Sequence, residues 1–269
     1  MKRFKNGIFA LLLLVSAASC EEVVDIDLEE SQPRLVIEAS LVWNEEDLQM
    51  PLYIKLSTTA PYFDEEIPPV ENAIISIHDG FGNKYFFYEI EPGLYKNDGF
   101  IPNTEATYEL EVTYNEELYV ATASFVTAPE IEEIEQDNNG GFTGDETEIR
   151  AYFTDPEGKG DYYLFRFYHD DLSFQIYDDE LIDGNRTFAF FSDEDLKPGD
   201  DVALELQGIS EQFYEYLFLL RSQAGTGGGP FQTQPTLVRG NIINVSNPEN
   251  FPFGFFRMSE KDVLTYEIQ

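Results

Sequence analysis

The sequence predicts a mainly β protein, two β-sandwich-like domains of which the second carries one helix. Three observations support this. Apolar and polar residues alternate in short runs, as at Tyr108, Leu110, Val112 and Tyr114, which interleave with Glu109, Glu111 and Thr113. Clusters of Gly, Pro, Asn and Asp punctuate those runs. Before residue 209, no stretch shows the three-and-four spacing of a helix that faces a core. Core material is ample, because 42% of the chain is apolar and it includes 23 Phe and 16 Tyr.

The chain opens with Lys2, Arg3 and Lys5, an apolar run from Ile8 to Val15, and small residues Ala17, Ala18 and Ser19 leading into Cys20. This is the layout of a secretory signal peptide, with an apolar run far short of the ~20 residues that span a bilayer. Cys20 is the only cysteine, so no internal disulfide can form. The segment resembles a bacterial lipoprotein signal with its lipobox. That resemblance implies removal of residues 1–19, acylation of Cys20 and anchoring in outer-membrane lipid. Residues 20–32 then form an acidic tether with Glu21, Glu22, Asp25, Asp27, Glu29 and Glu30. The tether resembles the export tag of Bacteroidota surface lipoproteins, which implies a location facing the cell exterior.

Residues 33–129 read as the first sandwich. Arg34 to Trp43 is a strand rich in β-branched residues, and Leu52, Ile54 and Leu56 alternate in the next. Ala73 to His78 and Lys84 to Ile90 flank a glycine turn and read as a hairpin. Leu94–Tyr95, Thr107 to Tyr114 and Leu118 to Val126 complete a set of strands with the density of a sandwich. The opening C-E-E-V-V-D-I-D, the phrase Pro33 to Glu38, and the phrase Val70 to Tyr95 with its F-G-N turn and P-G-L-Y resemble a Bacteroidota lipoprotein family catalogued as domain of unknown function 4249. The second phrase also resembles transthyretin-like or immunoglobulin-like modules. The family resemblance implies a partner, a TonB-dependent outer-membrane transporter, and supplies no catalytic residue.

Residues 130–147 are acidic and glycine-rich and read as a linker or long loop. Residues 148–269 read as a second β-rich domain. Its strands are Glu148 to Thr154, Tyr162 to Tyr168, Phe174 to Tyr177, Thr187 to Phe191 and Asp201 to Gln207, the last resembling a sheet edge of immunoglobulin type. The helix is expected at about 210–223, capped by Ser210, with Phe213, Tyr216 or Leu217, and Leu220 on its buried stripe and glycines from Gly225 ending it. The stretch up to Phe256 reads as loop, and Asp262 to Ile268 as a terminal strand.

Composition excludes a nucleic-acid ligand, since 52 Asp+Glu against 16 Lys+Arg repel a phosphate backbone. Neither His78 nor His169 sits in a metalloprotease, nucleophile-elbow or nucleotide-binding motif, so the chain is expected not to be an enzyme. Candidate calcium ligands are the hard oxygens of Asp137, Asn139 and Asp145, and of Asp155, Glu157 and Asp161. Neither group matches a calcium-loop motif, and no cofactor is otherwise expected. Phe251, Phe253, Phe255 and Phe256, flanked by prolines in an expected loop, are the candidate partner or ligand surface. Tyr85 to Tyr88 raises the same question, because residues from both strand faces are apolar and one face must meet something other than its own core. The expected function is an accessory subunit docked on an integral outer-membrane β-barrel: a TonB-dependent transporter, barrel-assembly or secretion machinery. The alternative is a surface protein capturing peptide, glycan or metal for import.

Overall fold

The structure is a computed structural model that describes residues 32–45, 50–61, 64, 66–224 and 236–269. The leader, Cys20, most of the tether and the glycines from Gly225 onward lie outside the described residues. The described chain is mainly β. Its strands are β1 (Leu35–Trp43), β2 (Leu52–Thr58), β3 (Ile74–His78), β4 (Lys84–Glu91), β5 (Leu94–Asn97), β6 (Thr107–Tyr114) and β7 (Glu117–Val126). Then follow β8 (Glu133–Gly140), β9 (Glu146–Thr154), β10 (Tyr162–Tyr168), β11 (Leu172–Asp178), β12 (Arg186–Asp193) and β13 (Asp201–Ile209). Helix α1 (Glu211–Ala224), the short β14 (Ile243–Asn244) and the long β15 (Phe253–Glu267) complete the chain.

Strand order around the first core is β15-β1-β2-β5-β4-β3-β6-β7, and β7 returns to β15 in parallel through Met258 opposite Phe125. These strands therefore close into a ring, which leaves few free edges. Inward-facing residues come from every second position, as at Ile37, Ala39 and Leu41 of β1 or Tyr108, Leu110 and Val112 of β6. Phe256 and Met258 enter the same core from β15.

The second core lies between β11-β10-β13-β15 and the separate sheet β12-β9-β8. Phe165, Phe167, Leu204 and Leu206 face Ile149, Phe153 and Phe191 across it. β13 lies between β10 and β15, so it is an interior strand and not the sheet edge its turn phrase suggests. A third, smaller core seats Phe213 of α1 against Leu164, Ile209 and Phe255. Ser210 caps α1, its Oγ accepting from the Phe213 amide at 3.2 Å.

Two stretches differ from the sequence reading. Residues 130–147 hold β8, which pairs with β9 from Glu133 to Gly140. β8 is a charged edge strand, held by its backbone ladder and by ion pairs such as Arg186–Glu133, so it lacks the apolar alternation by which strands are recognised. Phe253 to Phe256, expected in a loop, begins a strand that continues without interruption through the expected terminal one. Its first half runs parallel to β1, from Val36 opposite Phe253 to Trp43 opposite Glu260, and its second half runs antiparallel to β13. At 15 residues, β15 is the one strand that serves all three cores.

Pro252 and Gly254 disguised this strand. Gly254 has φ +95°, and a Cβ there would sit 2.0 Å from the Ile37 carbonyl oxygen. The glycine is required by close backbone approach inside the sheet.

Candidate functional site

Among the described residues, the outer face of β4 is an apolar strand surface that nothing covers. Phe87 points into the first core, which by alternation turns Phe86, Tyr88 and Ile90 outward, and all three remain exposed. The register extends this face sideways. Tyr88 lies opposite Lys96 of β5, and Lys96 opposite Tyr53 of β2. Ile74 of β3 stands one step beyond the Ile75–Phe87 pair. Tyr88 keeps 69% of its accessible surface and Ile74 keeps 63%, values that no core contact permits. Helix α1 packs on β10 and β11 and does not cover this face.

The charges on this face are paired. Lys84 Nζ and His78 Nε2 each lie 2.9 Å from the same Glu111 oxygen, and the hydrogen bond from Lys84, then that from His78, holds the Glu111 carboxyl below its ordinary value. Lys96 pairs with Asp98 at 2.6 Å, and Lys55 with Glu38 at 3.4 Å. The Lys84 and Lys96 ammoniums also sit 5.4 and 6.0 Å from the Phe86 and Tyr53 ring centres. The result is an aromatic, locally neutralised sheet surface on a protein of net charge −36.

Of the four phenylalanines expected to meet a partner, two are unavailable. Phe256 is buried in the first core and Phe255 in the third, where it lies 4.9 Å from the Phe213 ring and 5.0 Å from Tyr216. Phe251 and Phe253 are half-buried and meet edge to face at 5.6 Å. The guanidinium carbons of Arg34 and Arg239 lie 3.8 and 3.4 Å from the Phe251 ring centre.

The candidate calcium ligands divide. Asp155 and Asp161 do converge, joined by Asp179, with one oxygen from each lying within 4.8 Å of the others. Asp155 accepts from the Tyr163 hydroxyl and from the Gly184 amide at 2.9 Å, and Asp179 accepts from the Gly160 amide at 2.7 Å. Burial, then the charges of Asp155, Asp179 and Asp183, raises the Asp161 carboxyl above its ordinary value. Glu157 stays exposed and does not join them. Asp137, Asn139 and Asp145 belong to the β8–β9 hairpin instead. Asp137 pairs with Arg150 at 3.6 Å and accepts from the Asn139 amide, while Asp145 accepts from the Thr143 hydroxyl. At one oxygen each, three carboxylates supply at most half of the six to eight oxygens calcium takes, and two of them already accept hydrogen bonds. Asp179 could not be anticipated, since it lies just past the end of β11, 18 residues beyond Asp161 in sequence.

A buried cation was also illegible. Arg257 donates from Nε to Ser40 Oγ at 3.1 Å, from Nη1 to Ser259 Oγ at 2.9 Å and from Nη2 to Gln207 Oε1 at 2.5 Å. Its guanidinium stacks 4.5 Å from the Phe213 ring centre. Burial, then the nearby Arg166, pushes the group below its ordinary value. Gln207 in turn donates to Glu205, which pairs with Lys261 at 2.7 Å and Arg166 at 3.6 Å.

A cavity of about 500 Å³ opens beside this region, lined by Glu45, Glu130, Glu260, Lys261 and Asp262 among others. Burial, and secondarily Glu45 and Asp262, raises the Glu260 carboxyl.

The fold defines a mainly β protein whose two larger cores are stitched together by a single long strand. The chain belongs to the family described as domain of unknown function (DUF4249), which matches residues 21–264. No curated protein matches it. Among solved structures it is similar to a DUF4785 family protein from Legionella pneumophila, at 11% identity and TM-score 0.23, over 65% of this chain and 52% of that one. The chain thus spans about half the length of that structure. It is also similar to a two fibronectin type-III domain segment of chicken tenascin, at 12% identity and TM-score 0.22, over 66% and 91% of the two chains. The chicken interferon gamma receptor alpha chain matches at 10% identity and TM-score 0.20, over 66% and 89%.

Proposed function

We propose that this chain is a non-catalytic lipoprotein, anchored in the outer membrane through acylated Cys20 and facing the cell exterior, where it docks on an integral β-barrel protein such as a TonB-dependent transporter. The leader and the tether support the anchor. The observation that carries the docking is the uncovered outer face of β2, β5, β4 and β3, with Tyr53, Ile74, Phe86, Tyr88 and Ile90 exposed on neighbouring strands. A contiguous apolar and aromatic surface of this kind marks a protein interface more often than an idle face.

Capture of a small ligand is the second reading, and the cavity beside Glu260 is of suitable size for it. Half of its lining residues are charged, whereas ligand pockets are mostly apolar, so docking is the better-supported role.

The test is affinity isolation of the tagged lipoprotein from gently solubilised outer membranes. A barrel protein recovered in equal amount with wild type, and lost with the Phe86→Ser, Tyr88→Ser double variant, supports docking through this face. Recovery of the lipoprotein alone overturns it.

A further inference from the structure

We infer that Arg34 and Arg239, held on the two faces of the Phe251 ring, form a binding site for a phosphate group. The inference is independent of the docking role. Both guanidinium carbons lie within 3.8 Å of one ring centre, and two such groups cannot share one face without overlapping. The ring therefore separates them, and they stand no farther apart than the two distances combined. Among the described residues neither arginine makes an ion pair, on a chain where Arg150, Arg166 and Arg186 each find carboxylates. Two cations at van der Waals distance from one ring repel each other, and among the described residues no carboxylate pairs with either. An anion at the ring edge would.

Several donors are free to meet it. Arg34 directs Nη1 to the carbonyls of Glu249 and Phe251 at 3.0 and 3.2 Å, and among the described residues its Nε and Nη2 hydrogens meet no acceptor. Arg239 is exposed, and no protein acceptor meets its guanidinium among the described residues. The scaffold is rigid. The Arg34 amide donates to Thr59 Oγ1 at 3.0 Å at the start of β1. Gly240, next to Arg239, lies so close to β15 that a Cβ on it would come 1.7 Å from the Gly254 carbonyl oxygen. Phe251 is braced by Phe253.

Geometry selects the anion. A planar carboxylate matches one guanidinium edge to edge, and a ring's thickness keeps the second out of that plane. A tetrahedral phosphate presents oxygens in diverging directions and can accept from both. Phosphate recognition by paired arginines follows from the same fixed donor geometry.

The body from Pro33 to Gln269, a compact unit holding every described strand and all three cores, is suited to the test. Calorimetry with inorganic phosphate runs beside sedimentation with phosphatidic acid vesicles, with acetate as the carboxylate control. Expected are saturable phosphate binding, weakened about ten-fold by Arg239→Gln and by Arg34→Gln as each loses charge-assisted hydrogen bonds. Arg221→Gln, which removes a cation that makes no ion pair among the described residues, leaves binding unchanged. Binding of both phosphate and vesicles assigns the site to a lipid headgroup, and binding of phosphate alone assigns it to a soluble phosphate. Binding of neither, equal binding of acetate, or full retention in both glutamine variants overturns the inference.

Discussion

Arg257 and Gln207, 50 residues apart in sequence, meet at 2.5 Å in a buried position on the β1-paired half of β15, just before that strand joins β13. A buried guanidinium with no carboxylate in direct contact is expensive unless its hydrogens find acceptors. Here Ser40, Ser259 and Gln207 accept them, and Phe213 of α1 covers the flat face. One side chain thus ties together β1, β13, β15 and the helix.

Removing that tie is expected to be severe. Arg257→Ala strands the Gln207 and Ser259 acceptors and opens a cavity, with a loss of about 3–5 kcal/mol. Arg257→Met keeps most of the volume and should lose less. Urea denaturation of both variants checks the order, and equal losses would mean that hydrogen bonding rather than packing dominates.

Gly254 tests the parallel β1–β15 seam. Gly254→Val places a side chain where the Ile37 carbonyl already stands and forces it to φ +95°. The expected loss exceeds about 4 kcal/mol, the range of severe strain and overpacking combined. Expression and thermal melting read it directly. A variant melting within a few degrees of wild type would contradict the seam.

Glu117 anchors the segment before β15. Its carboxylate accepts from Tyr119 OH at 2.7 Å and from Asn244, Asn247 and Asn250 at 2.9, 3.0 and 2.7 Å. The Tyr119 hydrogen bond leads in holding its carboxyl below the ordinary value. A depressed folded-state value contributes stability that is complete above the unfolded-state value and lost as pH falls through the folded one. Glu117→Ala should remove about 1–3 kcal/mol at neutral pH, allowing for partial exposure, and less as the pH falls through the lowered folded-state value. Hydrogen exchange should speed up at residues 244–250 and stay unchanged in β2.

Asp161 has the opposite sign. Its folded-state value is raised by burial and by neighbouring carboxylates, so the folded protein holds the proton more tightly than the unfolded chain. Stability is therefore lost as pH rises through the unfolded-state value towards the raised one, and the penalty is complete above the raised value. Asp161→Asn is expected to raise the melting temperature at pH 7 and to leave it unchanged near pH ~3. A rise at both pH values would point to packing instead. Repeating the pH 7 melt with added calcium asks whether Asp155, Asp161 and Asp179 take a cation, since a bound ion would erase the variant's advantage.

The alternating strands of the first core were legible because their cue is local. Leu52, Ile54 and Leu56, or Tyr108, Leu110 and Val112, carry their burial in a two-residue period, and Ser210 marked the helix start for a similarly local reason. β8 and the first half of β15 were not legible. The ladder of β8 binds charged side chains that face water. The first half of β15 is held by β1, more than 200 residues away, and its glycine answers a contact that no neighbour in sequence reveals. The phenylalanines at 251–256 divided in the same way. A loop assignment made all four available, whereas strand alternation and packing on two cores bury Phe255 and Phe256.

By itself, the sequence determined what depends on neighbours along the chain: the β class, most strand positions, the helix and its cap, the acidic character, and family membership through its short phrases. The tertiary structure alone decided which residues from distant strands share a surface. It brought Asp179 to Asp155 and Asp161, set Arg34 and Arg239 about Phe251, buried Arg257, and left the outer face of β4 uncovered. The reason is physical. Alternation states that a strand has two faces, but only the pairing of strands far apart in sequence determines what each face meets.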